Sequence, residues 1–270
     1  MDRIRLIASD MDATLLDEQS QLPADFEETI HALAELGIRF APASGRPLYT
    51  LEAMFPTLQD ELVFIGDNGG AIRWKGQNLF TSEMSPEGWR ALNRLTREQG
   101  DIAVLCGLES AYVERPFAVH DAVLRHFYTK IEYVDRLEDV TAPADKFTIY
   151  LPQHNAQQAY DTVYASQRSI YSVAVAGECW VDIMNPGVHK GAALQTLGQL
   201  WGLPSESIMA FGDTYNDAEM LQTVRYGFLM ENGSKPLRQK VPFLAPSHRE
   251  AGVMQVLHRV LTQNGCVCPE

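Results

Sequence analysis

Two carboxylates stand two residues apart in Asp10-Met11-Asp12-Ala13-Thr14, a spacing that turns both to one side of an extended chain. The Thr14 hydroxyl can tie such a loop back on itself, and an isolated Asp-x-Asp is commonly no more than a solvated turn. A calcium loop would carry Gly at its sixth position and Glu at its twelfth, where this chain has Leu15 and Gln21. A second acidic cluster, Gly212-Asp213-Thr214-Tyr215-Asn216-Asp217, follows the apolar run Ile208 to Phe211. Burying that run makes carboxylates at its end costly unless a cation holds them. Asp10, Asp12 and Asp213 are therefore candidate oxygen ligands for Mg²⁺, with coordination positions left for water and a phosphate oxygen. Asp217 is assigned to orienting its neighbours. Asn216 has two readings: a contact to phosphate and, together with Glu219, the spacing of a helix N-cap box.

The matching cation and donors lie elsewhere in the chain. Lys190 follows a Pro-Gly turn at the start of an expected helix, the end at which the helix dipole disfavours an ammonium. There it can neutralise phosphoryl oxygens and an attacking carboxylate, while Ser44 and the amide of Gly45 donate hydrogen bonds. Taken singly, Lys190 reads as a surface lysine and Ser44 as turn chemistry. Their joint order along the chain is what gives them weight.

The elements that must position these residues alternate between strand and helix patterns. Ile4 to Ser9 is an apolar run ending at Asp10, residues 24 to 36 carry Phe26, Ile30 and Leu33 at helical spacing, and Ile38 to Ala43 is a short second strand ending at Ser44. A helix through Leu51, Met54 and Phe55 leads to a third strand, Leu62 to Gly66, and the turn Asp67-Asn68-Gly69-Gly70. This grammar predicts a doubly wound α/β parallel sheet, in which ligand sites gather at the C-terminal ends of the strands. From about Thr81 it changes: helices around Trp89 to Glu98, Val119 to Phe127 and Ala156 to Ala165 are interspersed with strands near Ile102 to Cys106, Tyr112 to Arg115, Lys146 to Leu151 and Glu178 to Met184. After Asn185-Pro186-Gly187 the first grammar resumes with a helix through Leu194, Leu197 and Trp201 and the strand before Gly212. The expected division is a core of residues 1–82 and 186–270 interrupted by an inserted α/β module of residues 83–185.

Composition narrows the function classes. Thirty-five acidic against 22 basic residues give a net charge of −13, the wrong sign for neutralising nucleic-acid phosphates. The same charge would repel a small anion, so a phosphate site needs a local cation. No apolar run approaches the roughly 20 residues of a membrane span, and the start Met1-Asp2-Arg3-Ile4-Arg5-Leu6 lacks the pattern of a secretory signal, so a soluble cytoplasmic protein is expected. Cys106, Cys179, Cys266 and Cys268 are read as reduced thiols that bind no metal.

Taken together, Asp10-x-Asp12-x-Thr14, Ser44-Gly45-Arg46, Lys190-Gly191 and Gly212-Asp213-x-x-Asn216-Asp217 resemble the four motifs of the haloacid dehalogenase superfamily, across the whole chain. The gap between Arg46 and Lys190 accommodates a cap resembling the type-two α/β kind, which points to the Cof-like sugar-phosphate phosphatases, where Asn68-Gly69 resembles a recurring turn. The resemblance implies Mg²⁺-dependent hydrolysis of a small phosphorylated metabolite, with Asp10 attacking phosphorus to form an aspartyl phosphate. Asp12 would act as acid and base, reaching the metal through its backbone carbonyl. The family usually has Gly where this chain has Ala13; a positive φ there would cost the methyl group about 1 kcal/mol. A phosphomutase shares the same motifs, and a phosphate-ester-binding protein without turnover would share the site. His120, Glu178, Trp180 and Asp182 of the inserted module are available to face a substrate, though cap His and Trp residues more often pack.

Overall fold

In the computed structural model, residues 2–267 are described, and Cys268 lies outside them. Five strands form a wholly parallel sheet in the order Phe243–Ala245, Tyr226–Met230, Ile208–Gly212, Leu6–Ser9, Arg39–Pro42. A single parallel bridge, Ala43 to Ile65, adds the strand Val63–Gly66 at the far edge. The chain thus starts at the centre, winds outward to one edge, then returns beside its first strand and winds to the other, as expected of a doubly wound sheet. Alternation along the first strand explains the layering. Leu6 and Ala8 join a core with Leu194, Leu197, Met220 and Leu221, whereas Ile7 joins another with Phe26, Ile30, Leu33 and Leu257. Helices Lys190–Trp201 and Ala218–Thr223 therefore cover one face, and Phe26–Glu35 and Gly252–Thr262 the other. Burial on both faces is why Leu6–Ser9 and Ile208–Gly212 are buried at every position.

A second, six-stranded sheet has the order Ser172–Ala176, Trp180–Met184, Ala144–Tyr150, Ile102–Gly107, Ala111–Glu114, Ile131–Val134. Its pairs are antiparallel except the last, which is parallel. Helices Pro86–Gln99 and Ala156–Thr162 pack on one side through Trp89, Leu92, Ala156 and Ala159. Cys106, Val113, Tyr128 and Tyr150 gather on the other. The two crossings between the sheets are tied together, because Asn185 Nδ2 donates to the carbonyls of Ser82 and Glu83 at 3.3 and 2.8 Å.

Several elements differ from expectation. The third strand continues into an antiparallel hairpin, Ala71–Trp74 and Gln77–Thr81, whose turn places Lys75 and Gly76 at φ 50° and 71°. The polar residues Arg73, Lys75, Gln77 and Asn78 hid its alternation. Strand Ile131–Val134 was not expected. The helix expected over residues 119 to 127 is a tight turn, Arg115–His120, followed by Asp121–Phe127, and the one expected to Ala165 ends at Thr162. Among the described residues no helix is long and apolar enough to cross a membrane, and Cys106, Cys179 and Cys266 are free.

Candidate active site

Strands Leu6–Ser9 and Ile208–Gly212 are hydrogen-bonded neighbours at the point where the winding reverses. The acidic loops that follow them must therefore meet. The Asp10 amide donates to Phe211 O at 2.9 Å, locking the start of its loop to the neighbouring strand. The loop is closed by Leu16 N–H donating to Met11 O at 2.9 Å, one residue wider than an α-turn, and Ala13 sits at φ 57°, ψ 14°. Position 13 is thus left-handed, and its methyl group costs about 1 kcal/mol relative to Gly. Asn232 Nδ2 braces the strained residue by donating to Ala13 O at 2.8 Å. Thr14 does not tie the loop: its buried hydroxyl has no hydrogen-bond partner among the described residues, and the closing contact is the Leu16 amide's.

Lys190, at the first turn of its helix, is fully buried. Its ammonium donates to Asp10 Oδ1 and, at 2.7 Å, to Asp217 Oδ1. The other Asp217 oxygen accepts from the amides of Asp213 and Thr214 at 3.0 and 3.2 Å. Asp217 therefore bridges the Lys190 ammonium and the amides of the Asp213 loop. A Cβ on Gly212 would lie 2.5 Å from Asp217 Cβ, which is why this position is glycine. The N-cap box expected of Asn216 and Glu219 does not form; Thr214 and Asp217 make one instead. Asn216 Oδ1 is left buried without a partner among the described residues.

Asp10, Asp213 and Asp217 each offer an oxygen within 4.8 Å of the others. The Asp12 side chain is not in that cluster; it is 58% exposed and receives a 2.8 Å ion pair from Arg46. Three carboxylates facing one buried ammonium leave excess negative charge, and the titration behaviour follows. Burial, reinforced by Asp217 and opposed by Lys190, raises Asp10 to about 8. Burial and again Asp217 raise Asp213 to about 7. Burial alone would lower Lys190, but Asp10 and Asp217 outweigh it and keep the ammonium above its usual range. A hard divalent cation would satisfy this donor set: oxygens only, surplus negative charge, and the orphaned Asn216 oxygen nearby.

Ser44 is buried at the end of the neighbouring strand, where its hydroxyl accepts from the Arg46 amide at 3.1 Å. Together, Asp10, Asp12, Ser44, Gly45, Asp213 and Asn216 line the floor of a cavity of about 1390 Å³ between the two sheets. Its upper wall includes Phe127, Tyr128, Tyr160, Tyr171 and Trp180. Of the cap residues singled out in the sequence, Glu178, Trp180 and Asp182 line this cavity. His120 instead packs edge-to-face on Tyr150, with ring centroids 5.4 Å apart. Sequence reasoning missed Lys146 and underused Arg46. A charged pair, Asp145-Lys146, inside a strand buried at all seven positions was the available signal for Lys146.

The family model for haloacid dehalogenase-like hydrolases matches residues 7–257. Over 262 residues, 96% of each chain, the protein is 31% identical to 5-amino-6-(5-phospho-D-ribitylamino)uracil phosphatase YbjI of Escherichia coli K12. It is also 31% identical over 249 residues, 89% of each chain, to HMP-PP phosphatase of Cronobacter sakazakii. Among solved structures, SMU.1108c from Streptococcus mutans UA159 superposes with a TM-score of 0.86 at 28% identity, covering 96% of this chain and 99% of that one. A HAD/COF-like hydrolase of Plasmodium vivax gives a TM-score of 0.87 at 18% identity over 97% of each chain, a likeness of fold.

Proposed function

The chain belongs to the haloacid dehalogenase-like hydrolases, as a phosphatase of that family, and from that premise we propose that it hydrolyses small phosphate monoesters through an aspartyl phosphate on Asp10. The observation that carries this reading is the placement of Asp10: buried on the cavity floor at the winding reversal, with one oxygen held by the Lys190 ammonium. That contact favours the ionised carboxylate against burial and leaves the second oxygen free to attack phosphorus. Ser44, the Gly45 amide and Asn216 would hold phosphoryl oxygens, and Lys190 would offset charge building on them. Asp12, turned to the cavity and held by Arg46, would protonate the leaving alkoxide and then take a proton from the water that attacks the acyl phosphate.

Asp10 and Asp213, with the backbone carbonyl of Asp12, would hold Mg²⁺, while Asp217 keeps its oxygens on Lys190 and the loop amides. When bound, the cation supplies electrostatic stabilisation of the transferring group. Residues 83–185 would form the module that selects the leaving group, with 1–82 and 186–270 as the catalytic core. The curated relatives named above act on a ribitylaminouracil phosphate and on HMP-PP. The cavity of about 1390 Å³ has room for such a group, and Trp180 with Phe127 and Tyr128 offers it an aromatic wall. We therefore assign phosphorylated polyols or sugars, with space for an attached ring, as the substrate class. The test is phosphate release from 5-amino-6-(5-phospho-D-ribitylamino)uracil, simple sugar phosphates and p-nitrophenyl phosphate with Mg²⁺. Asp10→Asn should reduce turnover by roughly 10³-fold or more; near-wild-type turnover in that variant would sink the mechanism.

A further inference from the structure

A second buried charge cluster lies where the two sheets meet, outside the four motifs. Lys146, on the strand Ala144–Tyr150, is only 2% exposed. Its ammonium donates to the carbonyl of Gly45 at 2.5 Å and pairs with Asp67 at 3.1 Å and Asp182 at 3.7 Å. Asp182 in turn accepts from Asn68 Nδ2 at 2.9 Å and Thr148 Oγ1 at 2.7 Å. The turn carrying Asp67 and Asn68 is left-handed at both residues, with φ of 50° and 54°, a conformation Asp and Asn adopt more readily than other side chains, and a Cβ on Gly69 would lie 2.6 Å from His189 O, directly before Lys190.

These contacts converge on one peptide unit. The carbonyl of the Gly45–Arg46 peptide is held by Lys146, and its N–H donates to Ser44 Oγ. The Ser44 amide is already committed to Ile65 O. The Gly45 N–H therefore remains the one amide of this turn with no partner among the described residues. Glycine is the residue least able to hold its own conformation, and Gly45 cannot be replaced by a stiffer one without crowding the Asn68 side chain, 3.3 Å from its missing Cβ. An outside clamp is what this turn requires.

We propose that Lys146 is a positioning residue for phosphate binding: reaching from the second sheet, it clamps the Gly45 carbonyl and so aims the Ser44 hydroxyl and the Gly45 amide into the cavity. The inference rests on the reading of Ser44 and Gly45 as the phosphate site. It differs from a leaving-group contact in what it touches. The clamp acts on the part of the ligand common to every ester, so its loss should weaken all substrates by one factor.

The charge-balanced double variant Lys146→Met with Asp67→Asn removes the ammonium together with one of its two carboxylate partners, and leaves Asp182 its hydrogen bonds from Asn68 and Thr148. Calorimetric titration with inorganic phosphate in Mg²⁺ should show affinity weakened by roughly 10-fold or more, the scale of one charge-assisted hydrogen bond. Across the ester panel kcat/KM should fall by a common factor, with the thermal melt reporting a folded chain. Lys146→Arg keeps the charge, but its planar fork cannot reproduce the ammonium's place at Gly45. It should weaken phosphate roughly 3–10-fold and serves if the neutral variant does not fold. Phosphate affinity within twofold of wild type in a folded variant would overturn the proposal. So would a fall confined to particular leaving groups. A wild-type chain that neither binds phosphate nor hydrolyses esters overturns the functional reading itself, whereas an active wild type with an unaffected variant overturns only the role of Lys146.

Discussion

Binding of Mg²⁺ should be steeply dependent on pH, because two of the carboxylates that would receive it hold protons in the metal-free protein. Asp10 is raised to about 8 and Asp213 to about 7, in each case chiefly by burial and then by Asp217. A cation must displace those protons. Treated as independent sites, the two predict that Mg²⁺ affinity rises roughly 50-fold between about pH 6 and about pH 7, with roughly 1.7 protons released per cation near pH 6.5. Above about pH 9 release should be nearly zero. The metal-free chain should show the opposite trend in stability. Its folded state retains protons that the unfolded carboxylates, at 3.8, have shed. The stabilisation is therefore whole below about pH 4 and is lost as pH rises through about 7 and 8. The assay is calorimetric titration in two buffers of different ionisation enthalpy, paired with melting curves with and without Mg²⁺. In Asp213→Asn the proton count near pH 6.5 should fall to about one. Affinity flat between about pH 6 and 7, or binding without proton release, would refute the argument that these carboxylates are the ligands.

Ala13→Gly should relieve roughly 1–2 kcal/mol of left-handed strain while returning about 0.5–1 kcal/mol of chain freedom to the unfolded state, for a net gain under about 1.5 kcal/mol. The melting temperature should rise by at most about 5 °C; a fall would show that the loop does not hold φ positive. Lys190→Met strands Asp10 and Asp217 in the interior and should cost about 3–5 kcal/mol near pH 8, lowering the melt by roughly 6–20 °C and abolishing turnover. The penalty should shrink as pH falls through about 8, where Asp10 takes up its proton; a pH-independent loss would argue against the pair. Trp180→Ala should raise KM for the ring-bearing ester roughly 2–13-fold with kcat little changed, and leave ring-free sugar phosphates nearly unaffected. Equal effects on both classes would remove Trp180 from substrate selection.

The parallel sheet was legible in the chain because its strands, buried on both faces, are short uninterrupted apolar runs that end abruptly in polar clusters. Asp10, Ser44 and Asp213 could be grouped from that pattern alone, since a doubly wound order brings the ends of such strands together. Asp217 was readable as an orienting group because a carboxylate so close to another must be held by something. The hairpin Ala71–Trp74 with Gln77–Thr81 was not legible, because Arg73, Asn78 and the turn residues broke its alternation. What only the tertiary structure decided is which atoms meet. Periodicity puts Asp10 and Asp12 on one side of an extended chain, but the chain coils from Met11 onward, sending one carboxylate to Lys190 and the other to Arg46. Lys146 is the clearest case. Its chain neighbours mark it only as a buried charge in need of a partner, and that partner, Gly45, lies 101 positions away, in reach only because residues from both sheets meet around the cavity. Local sequence states what a side chain needs; the packing of distant elements supplies who answers.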